Sequence, residues 1–181
     1  MKIEKKRLFI LVGNDNTGKT TFQKKLIDKI ASEVDYQKLP RNKFLKIVHS
    51  EIIECYKTVF FINRSIQEQF DEDIKSIDDY FKNKFQIADV CFLSSHLIKA
   101  DIEELIIQSQ KRFFNVTGVF FSNSIELNEK ENSEISTLNW DDRIIIENPI
   151  IQNYNKDTLE SQMETIAENF TKFLIKKLNN Q

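Results

Sequence analysis

Gly13-Asn14-Asp15-Asn16-Thr17-Gly18-Lys19-Thr20 satisfies every constrained position of the spacing G-x-x-x-x-G-K-[ST], whose physical use is to cradle phosphate. Before it lies Arg7-Leu8-Phe9-Ile10-Leu11-Val12, a short apolar run of the kind a buried parallel strand shows. After it, Phe22, Leu26 and Ile30 recur every four residues with Ile27 beside them, while Gln23, Lys24, Lys25, Asp28 and Lys29 fill the other face, which predicts an amphipathic helix. Strand, glycine loop and helix therefore arrive in the order the spacing needs. The chain has only three glycines, and two of them stand in this loop.

The chemistry explains the spelling. Gly13 and Gly18 admit backbone angles that a side chain forbids, so successive amides can point inward at phosphate oxygens. An anion there sits on the positive end of the following helix. Lys19 is expected to reach the outer phosphates, and the Thr20 hydroxyl to ligate a bridging Mg2+. The expected phosphate-binding set is Gly13, Asn14, Asp15, Asn16, Thr17, Gly18, Lys19, Thr20 and Thr21, with ATP as the ligand and GTP as the alternative. No Asn-Lys-x-Asp run selects guanine, so the base preference stays open.

A length of 181 residues predicts a single domain over 1–181. Hydrophobic residues make up 40% and charged residues 30%, which predicts a globular chain, and a net charge of -2 argues against a general nucleic-acid or anionic-membrane surface. Arginine, the residue suited to forked contacts with a phosphoryl group, occurs only as Arg7, Arg41, Arg64, Arg112 and Arg143. Cys55 and Cys91 lack metal-ligand spacing and lie in apolar segments, so both are expected to be buried thiols. The first residues lead directly into the first strand, leaving no room for a signal peptide, and no apolar stretch reaches membrane-spanning length. The expected location is cytoplasmic.

Farther along, Tyr36 to Leu39 reads as a short strand, and Asn42 to Tyr56 as a helix with Leu45, Val48, Ile52 and Tyr56 on its apolar face. Thr58-Val59-Phe60-Phe61-Ile62 is a core strand that ends at Asn63-Arg64-Ser65. Ile66, Phe70, Ile74, Ile77, Phe81 and Phe85 then predict one long helix, with Ser65 and Glu68 as its capping box. Val90-Cys91-Phe92-Leu93 is a third strand, closed by Ser94-Ser95-His96. A helix near 101–113, a strand at 116–121, a polar loop at 122–139, a strand at 143–147 and a long C-terminal helix complete the pattern. Such alternation predicts an α/β fold: a three-layer α-β-α sandwich around a mainly parallel sheet of five or six strands.

The loop reads Gly-x-Asp-x-x-Gly-Lys-Thr-Thr, and with Asp15 at its third position it resembles thymidylate kinase and its relatives among the P-loop nucleoside and nucleotide kinases. That resemblance implies the P-loop NTPase fold. It also implies that Asp15 hydrogen-bonds a hydroxyl of the phosphoryl acceptor; the alternative is that Asp15 shapes the turn. Asn63-Arg64-Ser65 resembles the Asp/Glu-Arg-Ser/Tyr element of those kinases, whose arginine grips or positions the acceptor. Arg64 is placed at the C-terminal edge of a parallel sheet, where open α/β folds hold ligands.

The chain departs from the family pattern at two places. Asn63 stands where those kinases carry a carboxylate, and only Lys99, Lys111 and Arg112 are basic where an arginine-rich lid is expected. No strand closes with the aspartate of a motor or switch ATPase, since Asp89, Asp141 and Asp142 precede their strands. His96, after a core strand, resembles the switch histidine of ABC-type ATPases and is a candidate contact to the terminal phosphate. Trp140 either packs on an apolar edge or stacks on a purine.

These observations lead to a Mg2+-dependent kinase that moves the γ-phosphoryl group of ATP to a nucleoside, nucleotide or other small acceptor. Its catalytic residues are Lys19, Arg64 and Asp15, with His96 near the nucleotide and Thr20 on the metal. The alternative is a nucleotide-gated ATPase or GTPase that reports its state to a protein partner or to a second copy of the chain.

Overall fold

The structure is a computed structural model that describes residues 6–31, 42–71, 73–150 and 156–179. Among the described residues, six strands form one sheet: β1 (Lys6–Val12), β2 (Asn42–Lys46), β3 (Thr58–Ser65), β4 (Val90–Ser95), β5 (Phe114–Phe121) and β6 (Asp142–Ile146). Their spatial order is β2-β3-β4-β1-β5-β6. Only β2 runs antiparallel to its neighbour; the other pairings are parallel. The most apolar strand, β1, lies between β4 and β5, where both of its edges are hydrogen-bonded and both of its faces covered.

Among the described residues, six helices pack on the sheet: α1 (Lys19–Ile30), α2 (Ile77–Asn83), α3 (Lys99–Gln110), α4 (Ser122–Leu127), α5 (Glu129–Ser136) and α6 (Lys156–Asn179). Successive β1 side chains alternate between two cores, as the strand period requires. Phe9 and Leu11 join Phe22, Leu26 and Ile27 of α1 and Ile166, Phe170 and Leu174 of α6. Leu8, Ile10 and Val12 join Tyr80 of α2, Ile102, Leu105 and Ile106 of α3, and Ile135 of α5. On the first face, register places Phe61, Phe92 and Phe9 side by side on β3, β4 and β1. Their rings stack at 4.7 and 5.0 Å, with Phe170 edge-on to Phe9 at 5.3 Å. A mainly parallel sheet covered by helices on both faces is therefore the architecture. Among the described residues, no helix is long and apolar enough to cross a membrane.

Several local expectations are overturned. The helix expected at 42–56 is instead strand β2 followed by turns. Leu45 and Ile47 are buried while Phe44, Lys46 and Val48 are exposed, so the segment follows a period of two and pairs with the edge of β3. The strand expected at 36–39 lies outside the described residues.

The long helix expected after Ser65 is a single 3₁₀ turn (Ile66–Gln69), an irregular stretch and the short α2. Ser65 makes no capping bond; Ser76 instead accepts from the Asp79 amide at 3.1 Å. Asp71 Oδ1 accepts from the amides of Asp73 (3.0 Å) and Ile74 (2.9 Å), a side-chain turn that competes with helix propagation.

The polar loop expected at 122–139 contains α4 and α5. They are joined through the buried Asn132, whose amide donates to the carbonyls of Ser124 (3.1 Å) and Asn128 (2.8 Å). Cys91 is fully buried and burial raises its thiol to about 12, whereas Cys55 is only partly buried. Trp140 packs against Phe120 and donates from Nε1 to the Ile135 carbonyl at 2.9 Å. Its ring lies close over Gly118 of β5, which is the packing alternative.

Candidate functional site

The chain leaves β1 at Val12, and the Gly13 amide still donates to the Ser95 carbonyl of β4 at 3.1 Å. The loop then tightens: Asn16 has φ 64° and Gly18 has φ 91°. The Thr17 hydroxyl donates to the Asn14 carbonyl at 2.9 Å. Helix α1 starts at Lys19 with no acidic side chain in its first turn, so the positive end of its dipole is uncompensated. Among the described residues, no backbone amide from Asn14 to Lys19 donates a hydrogen bond to the protein. A run of unsatisfied amides at a helix start is an anion-binding surface.

Lys19 bends back over this loop. Its Nζ donates to the carbonyls of Gly13 and Asn14 (2.7 Å for the latter) and to Thr17 Oγ1 at 3.3 Å. The side chain is buried, and desolvation lowers its pKa to about 8 against the raising influence of Asp15 and Glu68. Loop oxygens and the charges of Asp15 and Glu68 offset the loss of water only in part, so an anion entering here would restabilise the ammonium.

The loop is braced from outside by residues that no motif or spacing singles out. Asn148, after β6 and 1% exposed, donates from Nδ2 to the Thr17 carbonyl at 3.0 Å, and its own amide donates to Ser122 Oγ at 2.8 Å. Asn123 Nδ2 reaches the same carbonyl at 3.5 Å. On the other side, the Leu97 amide donates to Asn14 Oδ1 at 3.3 Å. Gln67, on the 3₁₀ turn, donates to Ser95 Oγ (3.1 Å) and Asp101 (2.8 Å) and accepts from the His96 amide (3.1 Å).

A cleft of about 1020 Å³ opens over the loop. Asp15, Asn16, Thr17, Gly18, Lys19, Thr20 and Thr21 form one wall, and Arg64, Ser65 and Glu68 form another; Ser94, Asn123 and Leu159 also line it. Thus Asp15, Lys19, Thr20 and Arg64, 49 positions apart at the extremes, meet at the C-terminal edge of the sheet. Thr20 is exposed to the cleft, where its hydroxyl can ligate a cation. His96 does not line the cleft; its Nε2 stands 3.6 Å from Glu68, and one ligand atom each from Asp15, Glu68 and His96 lies within 4.8 Å of the others.

Glu68 is the charged residue whose placement the sequence concealed, because it reads there as the partner of a helix cap. In the structure the turn is 3₁₀ and the carboxylate is released toward the cleft. Ser94, at the end of β4, is likewise on the wall, its Oγ accepting from buried Gln23 at 2.8 Å. The aspartates that precede strands serve the opposite edge. Asp89 accepts from the amides of Lys57 (2.8 Å) and Thr58 (3.0 Å), and Asp141 from the amide of Val116 (2.7 Å). Lys111 is an exposed residue beyond the end of α3, while the Arg112 guanidinium lies 4.7 Å over the Phe81 ring. In comparisons with known proteins, no family model matches the chain and no curated protein matches it significantly.

Proposed function

We propose that this chain is a P-loop phosphotransferase that carries the γ-phosphoryl group of ATP, or of GTP, to a small hydroxyl-bearing acceptor. The observation that carries this is the run of unpaired amides from Asn14 to Lys19 at the start of α1, with the Lys19 ammonium folded among them and an open cleft beyond. These parts hold a polyphosphate by backbone dipoles and one buried charge. In catalysis they would work by positioning and charge stabilisation, which suits a reaction whose transition state spreads charge over phosphoryl oxygens.

The residues fit a divalent cation through the Thr20 hydroxyl, and the cation would neutralise charge on the donor phosphates. Lys19 would hold the outer phosphates as loop carbonyls release it. Arg64 faces the same cleft from the other wall and would steady the transferring group or the acceptor. Asp15 would accept a hydrogen bond from the acceptor hydroxyl. A panel of nucleosides, nucleotides and other small hydroxyl compounds offered with ATP and Mg2+ tests this by ADP formation. Acceptor-dependent turnover that disappears in Lys19→Ala and drops sharply in Arg64→Ala is the expected outcome. Nucleotide binding without acceptor stimulation points to the second possibility.

That second possibility is a slow nucleotide-gated ATPase or GTPase with a protein partner. It is favoured by the end of β4, the strand beside β1, which closes on Ser94 and Ser95 where a carboxylate would help hold the metal. Partner capture that depends on the nucleotide state would support it.

A further inference from the structure

Glu68 stands on a rigid part of the cleft wall. The 3₁₀ turn that carries it is pinned by buried Ile66 on one side and by the Gln67 bonds to Ser95, His96 and Asp101 on the other. The carboxylate itself remains accessible, with 42% of the side chain exposed. His96 Nε2 lies 3.6 Å away and Asp15 is within the same 4.8 Å group. Among the described residues that line the cleft, the ionisable groups are Asp15, Lys19, Arg64 and Glu68.

Lys19 lies inside the loop and is committed to donor phosphates if the chain transfers phosphoryl groups. The remaining wall then presents two carboxylates against one guanidinium. A phosphate ester entering as the acceptor brings a dianion to adjacent carboxylates, with Arg64 as the one cationic side chain left to meet it among the described residues that line the cleft. An uncharged hydroxyl compound meets no such opposition, because hydroxyls donate to carboxylates. Site charge of this kind rejects a wrong partner by repulsion as much as it attracts the right one.

We propose that Glu68 is the acceptor-side base of this cleft, and that its acceptor is an uncharged polyhydroxyl compound, such as a nucleoside or a sugar, rather than a phosphate ester. This rests on the phosphotransferase reading. The Glu68 carboxylate takes the proton of the acceptor hydroxyl as that oxygen bonds to the γ-phosphorus. The bond from phosphorus to the β–γ bridging oxygen breaks, leaving nucleoside diphosphate, and Glu68 returns its proton to solvent when product leaves. Asp15 holds a second hydroxyl of the acceptor, and His96 Nε2 stands 3.6 Å from the Glu68 carboxylate.

The test compares wild type with Glu68→Gln, using ATP and Mg2+ with thymidine, ribose, thymidine monophosphate and ribose 5-phosphate as acceptors. ADP formation is followed, with the ATP Kd measured on both proteins by calorimetry. At least one uncharged compound should raise turnover while its phosphate ester does not. Glu68→Gln should lower that kcat by about 100-fold or more, the usual weight of a general base, with the ATP Kd and the melting temperature near those of wild type. A preference for the phosphate esters, or a Glu68→Gln kcat close to wild type, overturns the inference and leaves the phosphotransferase reading standing. If none of the four raises turnover although ATP binds, both fall.

Discussion

The side-chain amide of Asn148 donates to the carbonyl of Thr17 across 3.0 Å, joining the end of β6 to the loop before α1. The two residues are 131 positions apart. Because Asn148 is buried and its backbone amide is bonded to Ser122 Oγ as well, the contact sets where the Thr17–Gly18 peptide lies. Asn148→Ala leaves a buried carbonyl with only the marginal Asn123 contact. It should cost about 1–3 kcal/mol in urea unfolding and weaken nucleotide binding. Asn123→Ala, which loses the longer 3.5 Å contact, should cost clearly less in the same assay.

Gly18 combines φ 91° with a close neighbour, since a Cβ placed there would stand 2.5 Å from Met163 Cε of α6. Gly18→Ala therefore meets both backbone strain, of order 1–3 kcal/mol for a non-glycine residue in this region, and a steric conflict. The double variant Gly18→Ala with Met163→Ala should recover part of the melting temperature relative to Gly18→Ala with its methionine intact, after allowance for Met163→Ala alone. It should not restore nucleotide affinity, because the dihedral conflict remains.

Lys19 supplies a pH signature. Burial brings it to about 8 from the ordinary 10.5. Below about pH 8 the ammonium is charged in both folded and unfolded chains, and the cost of burying it is fully present. Between about pH 8 and 10.5 the unfolded chain holds a proton that the folded chain has lost, so this group makes stability rise with pH. Bound polyphosphate restores the charge, so binding at about pH 9 should take up a proton. Calorimetry in two buffers of different ionisation enthalpy reads that uptake, and Lys19→Met should abolish it. Equal apparent enthalpies for wild type in the two buffers would contradict the assignment.

Asp89 serves as the control for the missing strand-end carboxylate. It accepts from the Lys57 amide, the Thr58 amide and Thr58 Oγ1, at 2.8, 3.0 and 2.9 Å, at the edge of the sheet away from the cleft. Asp89→Ala should lower stability by about 1–3 kcal/mol and leave the ATP Kd within about twofold, which is below half a kcal/mol. A large loss of metal-dependent nucleotide affinity would show that this carboxylate acts at the site after all.

What was legible in the sequence was what one segment encodes by itself. The β1 run, the Gly13–Thr20 loop and the four-residue spacing of α1 carry their own instructions, and β3, β4, β5, β6 and α6 lie close to where their apolar patterns put them. Segments whose structure is decided by partners are not legible in this way. At 42–47, alternation over a few residues was hidden by apolar residues at helical spacing, and the free edge of β3 settled the matter. At 66–76, the side-chain bonds of Asp71 broke a helix that apolar periodicity favoured. At 122–139, Ser124 and Asn132 looked like loop residues because their mutual hydrogen bonds cannot be read from composition. The same limit hid Asn148, Gln67 and Glu68, whose importance is a matter of where distant elements bring them.

The measurement that bears most directly on the central claim is calorimetric titration of the protein with ATP and with GTP in the presence of Mg2+, repeated on Lys19→Ala. Saturable one-to-one binding by wild type is predicted, weakened by roughly 100-fold or more in Lys19→Ala, the scale of losing charge-assisted hydrogen bonds worth about 1.5–3 kcal/mol each. No heat with either nucleotide at saturating concentration, or the same affinity with and without the Lys19 ammonium, would contradict a polyphosphate site between β1 and α1.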